Sequence, residues 1–308
     1  VNAAGKPMYR ETDLIDVWFD SGSMPYAQLH YPFEGEMACG TEADRQAMIH
    51  SDYEGTPIPP AYFPADFINE GVDQTRGWFF TLHAIATMIF DSVAFKNVIS
   101  TGLVLDAKGN KMSKHVGNVT NPFEMMEKYG ADPVRFYMMT NSEPWDNLKF
   151  DPEGVDEVRR KFFGTLYNTY SFLALYANVD GFDPETMLNQ GNLAERPEID
   201  RWIISKANSL IINVCKQLND YDPTRAGRLI DNFVNDDLSN WYVRLNRKRF
   251  WGKEMDSDKL NAYQTLYSCL MTVAKLVAPF APFYADRLYH DLGGKMESVH
   301  LESYPVAD

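Results

Sequence analysis

The feature that most restricts how this 308-residue chain can fold is a change of sequence period near residue 150. Before it, short apolar runs alternate with Gly and Pro, which predicts strands interleaved with helices. Phe63 to Asn69 reads as a buried strand ending at Glu70-Gly71, and Asp73 to Phe90 as a helix with Asp73 at its N-cap. Phe95 to Ser100 reads as a second strand. Leu103 to Leu105 and a turn over Asp106–Asn110 then lead into Lys111. Asn121 to Met139 reads as a helix pair broken at Gly130 and restarted at Asp132-Pro133. After residue 150 the period is helical, predicting helices over 153–177, 197–219, 223–250 and 258–290. Breaks fall at Gly181–Pro184, Tyr221–Pro223 and Gly252. The expected architecture is half of an α/β nucleotide-binding sheet followed by an all-α antiparallel helix bundle.

Charge and cysteine usage narrow the functional classes. A net charge of −14 argues against a general nucleic-acid coating protein, so any RNA contact must come from a local basic patch. Cys39, Cys215 and Cys269 are far apart and form no Cys-x-x-Cys pair, which suits a reducing cytoplasm and gives no support for structural zinc. No His/Asp/Glu cluster has ligand spacing, so no metal site in the chain is expected. The longest apolar stretch, Trp78 to Phe90, is too short to cross a bilayer. Neither a starting methionine nor a signal-peptide pattern is present, so a cytoplasmic piece of a longer polypeptide is expected. Residues 34–60, rich in Gly, Glu and Pro, read as a loop insertion.

Three segments carry chemistry. Lys111-Met112-Ser113-Lys114 follows a turn and precedes Gly117-Asn118. Two lysines on a mobile loop can bring compact positive charge to a triphosphate, although a solvated lysine loop would look the same. Asn69-Glu70-Gly71-Val72-Asp73-Gln74 lies at the C-terminal end of a predicted strand, where open α/β sheets bind ligands. There Glu70 can accept ribose hydroxyls, Gly71 admits close backbone approach, and Asp73 and Gln74 can hold an ammonium and a carbonyl. A capped helix start without a ligand is the competing reading. Asp16-Val17-Trp18-Phe19-Asp20-Ser21-Gly22-Ser23 can form a pocket wall with a tight turn, or pack into a core. In the helical half, Arg244, Arg247, Lys248 and Arg249 form a basic run without acidic residues, which serves either RNA phosphates or solvent. Its aromatic neighbours Trp241, Tyr242, Phe250 and Trp251 are expected in the core.

Taken together, Asp-Val-Trp-Phe-Asp-Ser-Gly, Glu-Gly-x-Asp-Gln-x-Arg-Gly-Trp-Phe and Lys-Met-Ser-Lys-x-x-Gly-Asn resemble the isoleucyl-tRNA synthetase family of class I aminoacyl-tRNA synthetases across essentially the whole chain. Tyr26 to Phe33 and Asn240 to Arg244 look like its eukaryotic-type branch, which some bacteria also carry. Valyl enzymes resemble the loop but usually carry Thr-Trp-Phe-Ser-Ser at the first motif, and leucyl enzymes diverge further.

The resemblance implies ATP with Mg2+, isoleucine and tRNA(Ile) as ligands. It places Glu70, Gly71, Asp73 and Gln74 on the aminoacyl-adenylate, and Trp18 and Trp78 around the isoleucine side chain. Lys111 and Lys114, with Met112 and Ser113 between them, bind and activate ATP; His115 stands where the signature usually has serine. The implied domains are the second half of a Rossmann-type catalytic domain over 1–120, a junction and stem-contact region over 121–150, and an anticodon-binding bundle over 151–308. The family's His-x-Gly-His motif and its editing domain are not in the chain, so alone it is expected neither to activate isoleucine nor to edit. The N-terminal half of the same polypeptide is then an obligate partner. A valyl or leucyl relative and a non-catalytic tRNA-binding module are the alternatives.

Overall fold

A computed structural model describes residues 5–10, 12–31, 63–188, 192–252 and 254–308. The expected insertion over 34–60, Cys39 and Lys253 lie outside the described residues. The chain divides into two compact units, Val1–Leu103 and Val104–Asp308.

The first unit is built on parallel strands β1 (Ile68–Gly71) and β2 (Val98–Thr101), with Ile68 opposite Val98 and Gly71 opposite Thr101. Both begin later than their apolar runs. Pairing starts as an isolated bridge between Ala65 and Phe95. The Asn97 side-chain amide then donates to the Asp66 carbonyl at 2.9 Å, which interrupts the ladder until Ile68. Between the strands, the helix Trp78–Phe90 buries Leu82, Ile85, Ala86 and Phe90. This is the one-sided stripe an amphipathic helix needs. Leu82 and Ala86 pack with Ala94, Phe63, Ile68 and Phe95, while Ile85 and Phe90 pack with Tyr26, Tyr31 and Phe63.

Two expectations in this unit need correction. The helix does not start at Asp73. Val72–Arg76 is a separate 3-10 turn without a side-chain cap, and the Trp78 N–H donates to Gln74 Oε1 at 3.2 Å. Gln74, not Asp73, therefore serves the first turn. The Asp16–Ser23 segment is a short helix, Val17–Gly22, whose Trp18 N–H donates to Asp16 Oδ1 at 2.7 Å. Val17, Trp18 and Phe19 remain exposed and do not enter a core.

In the second unit, β3 (Val104–Leu105) pairs in parallel with β4 (Leu148–Lys149). The helices Pro122–Tyr129 and Ala131–Thr140 meet at Gly130, whose φ of 91° explains why a glycine ends the first of them. Val134, Tyr137, Leu148, Phe150 and Val155 form a small core joined by Met112 and Met126.

The helical part surrounds a larger core. The helix Glu198–Asn219 turns Ile203, Ala207, Leu210, Ile211 and Val214 inward on a helical period. Ser257–Val277 is buried on nearly every side, including Tyr263, Leu266, Leu270, Val273 and Val277. Within the expected 223–250 helix, Phe233–Val243 winds as a π-helix. Its wider turn keeps Phe233, Val234, Leu238, Tyr242 and Val243 on the buried face. The expected 258–290 helix is two helices, Ser257–Val277 and Pro282–Asp291. Pro282, which cannot donate into a helix interior, takes the first turn of the second, where its missing N–H costs nothing. No helix among the described residues is long and apolar enough to cross a membrane.

Candidate active site

In the first unit a cavity of about 570 Å³ opens at the C-terminal end of β1, lined by Trp18, Asp20, Ser21, Met24, Glu70, Gln74 and Trp78. Three local features shape it. The Trp78 indole N–H donates to the Ser21 carbonyl at 3.1 Å, tying the Val17–Gly22 helix to the Trp78–Phe90 helix. Gly22 permits that approach, since a Cβ there would stand 2.9 Å from Ile85 Cδ1 and from Thr81. Gln74 is held from two sides, by the Trp78 N–H on its oxygen and by Asp73 Oδ2, to which its amide donates at 3.0 Å.

Of the residues expected around an adenylate, Trp18, Glu70, Gln74 and Trp78 come together on this cavity. Asp73 and Gly71 are not on its lining. Asp73 orients Gln74, and Gly71 leaves room for Asp73, whose Oδ1 would be 2.5 Å from a Cβ at position 71. Asp20 and Ser21 line the cavity as part of the Asp16–Ser23 segment expected as a pocket wall, and Met24, just beyond that segment, lines it unexpectedly. Met24 follows directly on the short Val17–Gly22 helix, where a tight turn was expected, and that helix carries it to the cavity.

Lys111, Met112, Ser113 and Lys114 belong to the second unit. Lys111 closes an antiparallel bridge to Leu105, and Met112 packs into the small core. The Ser113 N–H donates to Asn118 Oδ1 at 2.9 Å, while Lys114 to Gly117 form an exposed turn.

The basic run divides. Arg244, Arg247 and Lys248 are exposed, and among the described residues none pairs with a carboxylate. Arg249 departs from the expected RNA-facing stripe. Its guanidinium grips the fully buried Asp200 with both nitrogens, at 2.6 and 2.8 Å, and also reaches Asp258. The reason is local: Asp200 needs a charged partner inside the bundle, and Tyr242 supplies only one further hydrogen bond, at 2.7 Å. Tyr242 and Phe250 are core residues as expected, but Trp241 and Trp251 are 59% and 57% exposed and correct that expectation.

Among the described residues no group of three or more His, Cys, Asp or Glu side chains is placed to hold a metal ion.

Two family models match the chain. Residues 2–151 match the family "tRNA synthetases class I (I, L, M and V)", and residues 200–308 match the "Anticodon-binding domain of tRNA ligase". The isoleucine–tRNA ligase of Bacteroides fragilis is 64% identical over 310 residues, covering 99% of this chain and 25% of that protein. Those of Porphyromonas gingivalis and Cytophaga hutchinsonii are 63% and 60% identical, again over 99% of the chain and about a quarter of their own lengths. The chain thus spans about a quarter of these curated relatives. These relatives are bacterial, and the expectation of a eukaryotic-type branch is not borne out.

Among solved structures, the ternary complex of Agrobacterium radiobacter K84 LeuRS with tRNA and LeuAMS aligns at a TM-score of 0.66 and 20% identity, covering 97% of this chain and 34% of that one. Mycobacterium tuberculosis methionyl-tRNA synthetase with methionyl-adenylate aligns at 0.61 and 23% identity, covering 74% and 44%. At these identities they speak for the fold, a Rossmann-like catalytic domain with a helical part. With a class I model over residues 2–151, an anticodon-binding model over 200–308 and 60–64% identity to isoleucine–tRNA ligases along nearly its whole length, the chain belongs to the class I tRNA synthetases.

Proposed function

We propose that the chain supplies part of the adenylate site and most of the tRNA-binding bundle of an isoleucine–tRNA ligase. The observation that carries this is the cavity gathering Trp18, Ser21, Glu70, Gln74 and Trp78 at the C-terminal end of a parallel strand, in a chain 60–64% identical to such ligases. Open α/β sheets bind their ligands at that end. Glu70 accepts the ribose hydroxyls, while Gln74 and Asp73 hold the amino acid's ammonium and carbonyl. Trp18 and Trp78 wall its aliphatic side chain.

The isoleucine carboxylate attacks the α-phosphorus of ATP, and the bond to the β-phosphate oxygen breaks to release pyrophosphate. A terminal ribose hydroxyl of tRNA(Ile) then attacks the adenylate carbonyl, losing its proton as AMP leaves. Lys111 and Lys114 act on charge that develops at the α-phosphate and the departing pyrophosphate, so they favour the transition state over bound ATP. Mg2+, when bound with the triphosphate, would add charge neutralisation to that of the two lysines.

In this reading residues 1–120 are the second half of the Rossmann-type domain, 121–150 the junction, and 151–308 an antiparallel anticodon-binding bundle whose Arg244, Arg247 and Lys248 meet phosphates. The N-terminal part of the polypeptide supplies the His-x-Gly-His half of the site, in the cytoplasm. The test is isoleucine-dependent ATP–pyrophosphate exchange by the chain alone and with that part expressed separately, with valine and leucine as controls. Exchange only in the mixture, strongest with isoleucine, is expected. Silence from a mixture shown to be folded and associated would overturn the proposal.

A further inference from the structure

The loop that carries the two lysines hangs on two side chains outside it. The Asp106 carboxylate receives four N–H groups. Oδ1 accepts from the backbones of Lys108 and Asn110 at 3.0 and 2.7 Å. Oδ2 accepts from the side-chain amides of Asn110 and Asn118 at 3.2 and 3.0 Å. Both oxygens are thus occupied by donors, which leaves Asp106 no part in proton transfer or metal binding. Asn118 is equally committed. Its amide nitrogen donates to Asp106 and, at 3.2 Å, to the Lys111 carbonyl, while its oxygen accepts from the Ser113 N–H at 2.9 Å.

Asn118 therefore bonds the backbone on both sides of Met112, as a neighbouring strand would, while the Met112 side chain is seated in the small core. Beyond Ser113 the support changes character. The Ser113 carbonyl accepts from Val116 and Gly117 at 3.1 and 3.0 Å, and Ser113 Oγ from the His115 N–H at 3.3 Å. Everything that orders the Lys114 turn among the described residues thus passes through Ser113, and Ser113 is fixed by Asn118.

We propose that Asp106 and Asn118 are positioning residues for ATP activation: a latch that fixes the Lys111–Ser113 backbone and thereby aims both lysines. This rests on the reading of the loop given above. The pair touches no substrate and acts only through the backbone it holds. A loop released from the latch still carries its lysines but must pay an ordering cost whenever they meet the phosphates, which weakens ATP handling and spares the amino-acid pocket.

The experiment uses the full-length polypeptide and four variants, Asn118→Ala, Asn118→Asp, Asp106→Asn and the double swap Asp106→Asn/Asn118→Asp. Asn118→Ala is expected to lower kcat/KM for ATP in pyrophosphate exchange by about tenfold to a hundredfold, with KM for isoleucine unchanged within about twofold. Asn118→Asp sets two carboxylates against each other and is expected to be the worst of the four. The double swap lets an amide at position 106 donate to a carboxylate at 118, but it turns that carboxylate toward the Lys111 carbonyl and leaves the Asn110 side-chain amide without its acceptor. It is expected to be better than Asn118→Asp yet short of the unsubstituted enzyme, a partial recovery that general destabilisation would not give. Unchanged ATP kinetics in Asn118→Ala, or a double swap no better than Asn118→Asp, overturns the latch. Failure of the underlying reading looks different: Lys111→Ala/Lys114→Ala would retain full exchange in an otherwise active enzyme.

Discussion

A methyl group at Gly71 would stand 2.5 Å from Asp73 Oδ1, so Gly71→Ala must push that carboxylate aside and release Gln74 from it. The backbone there has φ −66° and ψ 154°, open to any residue, and the position is only half-buried. The substitution is expected to lower isoleucine activation in the full-length protein while leaving the unfolding midpoint unchanged. A parallel fall in both would show that Gly71 serves the fold.

Arg249 predicts the opposite pattern. Arg249→Ala strands Asp200, which is fully buried, and is expected to destabilise the bundle by about 3–5 kcal/mol in urea unfolding, whereas Arg247→Ala on the surface stays within about 0.5 kcal/mol. Asp106 adds a pH dependence. The Asn110 backbone N–H foremost, then the Asn118 amide, hold its carboxyl at about 2 against an ordinary 3.8. A carboxylate with a depressed folded value contributes order above 3.8 and loses it as pH falls through about 2. Protection of the Ser113 amide from hydrogen exchange should follow that course. A midpoint at the ordinary value would mean that the carboxylate is not held.

At the scale of elements, the helix Ala131–Thr140 shows best what side chains do between helices. Near its start, Arg135 donates to the carbonyls of Pro279 and Phe280, and Asp132 accepts from the Tyr284 N–H. One residue serves each side of the break before Pro282, with the charge that suits a helix end. At its other end, Thr224 Oγ1 lies 2.7 and 3.0 Å from the carbonyls of Met139 and Ser142, and Arg228 donates to those of Thr140 and Asn141. Thr224→Val keeps the volume and takes the buried hydroxyl away from both carbonyls. It is expected to cost about 1–3 kcal/mol in denaturant unfolding, and a loss under about half that would mean water replaces the hydroxyl.

None of this clamp was legible in the sequence, because Arg135 and Pro279 meet only after the bundle folds. The breaks at Gly130, Gly181 and Gly252 were legible, since they depend on local chemistry. The misread boundaries share one cause. At Asp73, at the two strand starts and at Pro282, a side chain or a proline claims a backbone group that the apolar pattern alone assigns to the regular element. The site was legible where it rests on composition at a strand end, as with Glu70 and Gln74. It was hidden where it rests on a helix too short to show a period, as with Met24.

At the scale of the whole chain, the net charge of −14 bears directly on the RNA contact proposed above. The overall field repels a polyanion, so affinity must be concentrated where Arg244, Arg247 and Lys248 stand clear of carboxylates among the described residues. Trp241 and Trp251 flank them, and helical spacing sets Trp241 with Arg244 and Lys248, and Trp251 with Arg247 and Lys248. Charge and ring faces then make separable contributions to binding. Replacing each of the three cations by Gln is expected to weaken tRNA(Ile) binding at low salt and to flatten the plot of log affinity against log salt by about one unit per lost phosphate contact. Trp241→Ala and Trp251→Ala are expected to cost about 1–3 kcal/mol each if bases stack on them, and to leave that slope unchanged. Filter binding across a salt series reads both. Tryptophan variants that change the slope, or cation variants that leave it intact, would move the RNA to another face. The repulsive background makes the measurement sharper, because with so little non-specific attraction every lost contact should register in the slope.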